Sequence, residues 1–198
     1  MRFLTFALAC GTLLPSVLSG QGRYSLTVTG VAGTHLVTDQ IFQSIKITQL
    51  VAPTLTLGGS LPVSPHQRMG IEIALGSTKT RVLETGYPTT EGPAFRTLSV
   101  TLGFEGPILS RFTYRAGAGL LKYMPDHQGI FLQGGPLLLV LTGGLDYHYP
   151  LHGGLGLLAR ARYDYQRFTT DQLQAIGFSR TQDVHRVGIG LGIEYQRP

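Results

Sequence analysis

Six histidines, His35, His66, His127, His148, His152 and His185, are the groups in this chain best suited to move a proton near neutral pH. A hydroxyl nucleophile activated by one of them would make an acyl-transfer site. No histidine is followed two residues later by serine, the local pattern expected of a lipid deacylase. The strand pattern places His35, His127 and His185 on the side of the long connections, where Ser179 is a possible nucleophile that nothing else marks as one. The single thiol, Cys10, falls in an N-terminal apolar stretch, which excludes a disulfide framework and a thiol nucleophile once that stretch is removed. No histidine or cysteine cluster has metal-ligand spacing. Gly188-Ile-Gly-Leu-Gly192 places glycine at every second position, a strand pattern and not a phosphate loop. No catalytic residue, cofactor or metal is therefore expected.

The charges say more. Glu72, Glu105, Arg115, Asp146, Arg160, Arg162, Asp164 and Glu194 each alternate with apolar neighbours. Leu157, Ala159, Ala161, Tyr163 and Tyr165 oppose Leu158, Arg160, Arg162 and Asp164; Leu98, Val100, Leu102 and Phe104 oppose Ser99, Thr101, Gly103 and Glu105. Period-2 alternation is the mark of strands with two unlike faces. The spacing predicts eight strands, at 24–36, 48–61, 69–82, 96–106, 111–124, 136–149, 155–168 and 185–196, each long enough to cross a bilayer at a tilt.

The connections alternate in length. Pro62-Val63, Pro107-Ile108 and Pro150-Leu151 mark three tight turns, whereas 37–47, 83–95, 125–135 and 169–184 are longer and polar. Short turns on one rim and long loops on the other is the layout of a transmembrane barrel, with the short side periplasmic. Tyr24, Phe104, Phe112, Tyr114, Tyr147, Tyr149 and Tyr195 gather near the short turns or chain ends, and Tyr163, Tyr165 and Phe168 approach the other rim, as two interfacial girdles would.

Alternation alone does not say which face points out, since a soluble barrel of lipocalin type buries its apolar face. The polar face decides it. Turning a basic residue to lipid costs about 2–4 kcal/mol at the midplane, and the eight charges together would cost on the order of a domain's whole stability. They are expected in the lumen. Glu72, Glu105, Arg115, Asp146 and Glu194 fall nearer the short turns, with Arg115 and Arg160 between the carboxylates. Gly58, Gly76, Gly103, Gly117, Gly119, Gly188, Gly190 and Gly192 make room on the same face. An eight-stranded barrel is just wide enough for side chains to fill.

Residues 1–20 read as a secretory signal peptide: Arg2, the apolar run Phe3 to Leu14, then Ser19-Gly20 before the cleavage point. The sixteen basic residues are scattered, with no run of three, which argues against nucleic-acid binding despite a net charge of +5.

Over 21–198 the chain resembles the small eight-stranded bacterial outer-membrane β-barrels typified by outer membrane proteins A and X. The likeness rests on strand number, loop asymmetry, aromatic girdles and the last strand, where Val187, Ile189, Leu191, Ile193 and Tyr195 share one face and an aromatic closes it. The chain then continues through Gln196-Arg197-Pro198. The resemblance implies an all-β, antiparallel, up-and-down transmembrane barrel in the outer membrane of a Gram-negative cell, exported through the Sec pathway. It implies that 187–195 is the signal read by the barrel-assembly machinery, with periplasmic chaperones and lipids including lipopolysaccharide as partners and a monomer as the state. The expected role is structural or surface-interacting, through the loops around Phe168, Ile176 and Phe178 above all. Two alternatives remain: a lipid A-modifying enzyme, and a narrow porin-like conduit for small hydrophobic molecules, hinted at by Leu121, Leu138 and Val140.

Overall fold

The computed structural model describes residues 21–33, 35–38, 45–126, 137–169, 174–175 and 181–197. The expected signal peptide lies outside them, as do His127, Ser179, Ile176 and Phe178. No described helix is long and apolar enough to cross a membrane. The architecture is all-β: β1 (Arg23–Gly33), β2 (His35–Thr38), β3 (Ile45–Gln49), β4 (Ala52–Ser64), β5 (Gln67–Glu84), β6 (Thr90–Leu109), β7 (Phe112–Pro125), β8 (Leu137–Pro150), β9 (Leu155–Phe168) and β10 (Gln182–Gln196). Neighbours pair antiparallel, β10 returns to β1, and β5 pairs β6, so the sheet closes on itself.

Ten segments make eight staves. β2 continues β1, and β3 leads into β4; the pairing register slips by a residue between His35 and Val37 in β2, and again between β3 and β4 on β5. At the second break the Thr78 hydroxyl donates to the Leu50 carbonyl at 2.8 Å, and Leu50 N–H donates to the Lys79 carbonyl at 3.0 Å, so the bulge keeps its backbone partners. The expected strands 24–36 and 48–61 are thus each interrupted, a bulge being silent in the alternation that revealed them.

Two further expectations are corrected. The connection placed at 83–95 shrinks to 85–89, because β5 and β6 extend their pairing through Arg81 with Glu91 and Val82 with Thr90. The three proline pairs are not the turns. Pro62 and Pro107 lie two residues before the ends of β4 and β6, Pro150 closes β8, and the chain reverses at 65–66, 110–111 and 151–154. A strand end tolerates a residue without an N–H, which is why the prolines sit beside the turns and not in them. The last reversal uses Gly153 and Gly154 at φ +68° and +82°, the left-handed region that glycine enters freely.

The two faces divide as the charges require. Val28, Leu57, Ile73, Val100, Leu139, Ile189 and Leu191 point outward and exposed, Ile189 at 75%. Thr27, Thr29, Thr56, Glu72, Thr101, Asp146, Arg160 and Arg162 point inward and are buried. Where β6 and β7 approach most closely, a side chain on Gly119 would overlap the Val100 carbonyl. An outer surface this apolar is compatible with lipid and not with water. Ile189→Arg should therefore lower folding stability in lipid vesicles by about 2–4 kcal/mol; an unchanged urea midpoint would mean that this face does not meet hydrocarbon.

Candidate functional site: a layered lumen closed at one end

The inward side chains form layers. At the mouth beside the short turns, Glu105 takes the Ser60 hydroxyl at 2.7 Å, Arg68 at 3.2 Å and Arg23 at 3.4 Å. The Arg68 guanidinium also donates to the Ser60 and Gln21 carbonyls. Glu194 holds His148 Nδ1 at 2.8 Å, and His148 Nε2 lies 2.8 Å from the Thr113 hydroxyl. Glu194 crosses β9 to reach that imidazole because position 156 is glycine: a Cβ there would stand 2.9 Å from the carboxylate oxygen. A vestibule of about 360 Å³, lined in part by Arg23, Arg68, Arg111, Thr113 and His148, opens at this end.

The second layer is the most buried. Arg160 grips Asp146 with two nitrogens, at 2.9 and 2.8 Å, and Glu72 with a third at 2.6 Å. Arg115 completes the square, 2.5 Å from Glu72 and 3.4 Å from Asp146. Two guanidiniums and two carboxylates balance in charge. Side-chain exposures of 4% for Arg160 and 2% for Asp146 explain why they must, since an uncompensated ion here would be desolvated without a partner. In the third layer Asp164 is shared by Arg162 at 2.7 Å and Arg186 at 3.2 Å. Arg162 Nη1 and Arg186 Nε find no acceptor among the described residues. Cavities of about 30 Å³ each, room for a water or two, lie among these layers.

Toward the long connections the lumen turns apolar. Leu36, Val37, Ile47, Phe95, Leu121, Tyr123, Leu138, Val140 and Val184 pack into one buried cluster. Phe95 and Tyr123 pack with their rings tilted at 58° and 5.5 Å between centroids, and the Gln166 amide donates to the Tyr123 hydroxyl. The lumen is open at the short-turn mouth and stopped at the other end by hydrocarbon.

All eight charges singled out from the sequence point into this lumen, in three layers and not one network. Glu72, Asp146, Arg115 and Arg160 meet directly; Arg162 joins Asp164; Glu105 and Glu194 are held by residues the sequence reading passed over, Arg23, Arg68 and His148. Arg186 was missed too. Each was within reach of the same alternation carried one step further: Arg23 before Ser25, Arg68 before Gly70, His148 after Asp146, Arg186 before Gly188. Leu121, Leu138 and Val140 belong to the apolar stopper. The residues of the proposed terminal signal, Val187, Ile189, Leu191, Ile193 and Tyr195, all face outward. His66 and His152 are exposed at the short-turn rim, and His185 meets Tyr163 on the outer wall, its Nδ1 2.6 Å from the phenol oxygen.

A closed antiparallel ring, apolar outside and ionic within, leaves one class of known architecture. The chain has the fold of the small outer-membrane β-barrels. The crystal structure of Neisserial surface protein A matches over 89% of this chain and 97% of that one, with a TM-score of 0.54 and 11% identity. The solid-state NMR structure of the outer membrane protein AlkL in lipid bilayers matches over 90% of each chain, with a TM-score of 0.56 and 14% identity. The sequence matches no family model and no curated protein. At such identities the likeness concerns the fold alone.

The ionic square makes a direct prediction. Arg160→Met strands Asp146 and should cost about 3–5 kcal/mol, whereas adding Asp146→Leu should recover part of that loss. Urea unfolding of the two single variants and the double variant measures it, and strict additivity would mean the two side chains are not coupled.

Proposed function

We propose that this chain is an integral barrel of a bacterial outer membrane, with its long connections on the cell surface and a structural or surface-interaction role exercised through them. The observation that carries the reading is the stopper: a lumen that ends in packed Leu36, Phe95, Leu121, Tyr123 and Val140 has no through-path for solutes. Work done by such a protein falls to its rims and outer wall. The asymmetry of the rims supports the orientation, because outer-membrane barrels carry short turns on the periplasmic side and longer loops on the outer side. The exposed apolar wall supports the location.

In planar lipid bilayers the folded protein should give no stable conductance steps at neutral pH. Large, reproducible steps would replace the stopped barrel with a conduit, the reading in which Leu121, Leu138 and Val140 line an exit.

One observation favours a second reading. Thr113, His148 and Glu194 are joined in the order hydroxyl, imidazole, carboxylate, the order that activates a hydroxyl in hydrolases, and both bonds are 2.8 Å. The hydroxyl faces the vestibule at the short-turn mouth, away from the outer leaflet that a lipid A deacylase would attack. As a brace, the same relay ties β7, β8 and β10 together. A fluorophosphonate probe separates the two: the folded barrel should remain unlabelled, and an adduct on Thr113 that disappears in Thr113→Val would make the relay a hydrolytic site.

A further inference from the structure

On the outer wall near the long connections, we infer a binding site for the phosphorylated headgroup of a lipid in the adjoining leaflet, built from Lys46, Lys79, Arg81, Arg96 and Lys122. The inference deepens the outer-membrane reading and rests on it. The five cations sit on β3, β5, β6 and β7 with exposed side chains. Pairing register makes them one stripe. Thr48 faces Arg81, so Lys46 is the diagonal neighbour of Arg81. Lys79 and Arg81 are successive outward residues of β5. Ser77 faces Arg96, so Arg96 is diagonal to Lys79, and Leu98 faces Lys122, so Lys122 is diagonal to Arg96. Same-face diagonal neighbours stand about 7–8 Å apart, close enough for a pair of them to share a phosphate through long flexible stems. The stripe steps toward the short turns from each stave to the next, in the same sense as the turns do, so it follows the rim and does not climb the wall.

Its charge is not spent within the protein. Lys79 pairs Glu91 at 3.0 Å and Arg96 pairs Asp126 at 3.5 Å, both on well-exposed side chains. Lys46, Arg81 and Lys122 make no ion pair among the described residues: Glu91 stands opposite Arg81 but its carboxylate is taken by Lys79, and Glu84, the other described carboxylate at the long-connection end of these strands, makes none. Nothing comparable occurs elsewhere on the described outer wall. At the long-loop end of β9 and β10, Arg167 is taken by Asp183 at 2.9 Å. At the short-turn rim Arg111 lies over the Tyr149 ring. A surplus confined to one flank is a site and not a uniform interfacial girdle.

The neighbours fix the chemistry of the occupant. Further toward the short turns on the same staves stand Leu75, Ile73, Val100 and Leu120, all exposed and apolar. An amphiphile that lays acyl chains on these residues brings its headgroup level with the stripe. Lysine stems can rise along the wall to keep their ammonium groups in that layer, and Arg81 and Arg96 offer forked N–H pairs suited to phosphate oxygens. A soluble anion would gain only the exposed, screened part of this arrangement.

The test uses the full barrel refolded in dodecyl maltoside micelles and titrated with diphosphoryl lipid A, with bound lipid counted by native mass spectrometry. The expected result is retention of lipid A by the wild type and binding on the order of a hundredfold weaker in Lys46→Gln/Arg81→Gln/Lys122→Gln. Dephosphorylated lipid A should bind no better than the detergent, and millimolar inorganic phosphate should not displace the intact lipid. Unchanged affinity in a triple variant that still shifts on a gel after boiling would overturn the site while leaving the barrel intact. So would an equal loss in Arg167→Gln on the opposite flank, or displacement by phosphate alone. A wild-type protein whose migration ignores boiling would instead remove the barrel reading itself.

Discussion

Closure is the constraint from which the rest follows. A sheet placed in hydrocarbon cannot leave an edge unpaired, because each orphaned backbone N–H or C=O would have no water to turn to. Here β10 pairs along the whole of β1, β5 pairs β6, and the two short segments β2 and β3 carry the pairing on beyond β1 and β4. Once the ring is closed, every strand residue is committed to one of two environments. The period of two then forces alternate side chains into a lumen too narrow for bulk water.

That confinement accounts for the ionic layers. Isolated charges in a narrow lumen would be desolvated, so they occur in bonding contact with counter-ions: Glu72 and Asp146 balanced against Arg115 and Arg160, and Asp164 between Arg162 and Arg186. Such sets contribute less net stability than their contacts suggest, because most of the attraction offsets desolvation. Their consequence is specificity of closure. A strand slipped by one residue would put Arg160 on lipid and Ala161 against Asp146. Glycine is the complement of these long side chains; Gly156 clears the way for Glu194 to reach His148.

The lumen divides its chemistry along its length, and the division bears on function. Ionic layers fill the half near the short turns, with a vestibule below them, and hydrocarbon closes the half near the long connections. A conduit would want the reverse: a continuous polar or continuous apolar path. The outer wall is also uneven, with the cationic stripe on the β3 to β7 flank and the Tyr163–His185 and Arg167–Asp183 contacts on the β9–β10 flank. The two flanks therefore present different chemistry to what surrounds them.

The sequence by itself determined the two faces. Alternation through Arg160, Arg162 and Asp164, or through Gly188, Gly190 and Gly192, is a local property that survives without any knowledge of partners, and the cost of a charge on lipid assigns the inner face. What alternation cannot carry is register. The bulges after Gly33 and around Leu50 leave the local pattern nearly intact, so β1 to β4 read as two unbroken strands. The extension of β6 back to Thr90 depended on Glu91 and Thr90 finding Arg81 and Val82 across the sheet. Which carboxylate meets which guanidinium was likewise decided only in three dimensions. Glu194 binds His148 and not Arg115 because strand order, tilt and one glycine bring residues 46 positions apart to 2.8 Å. The cationic stripe is of the same kind: five charges spread from 46 to 122 become neighbours only through the pairing of four strands.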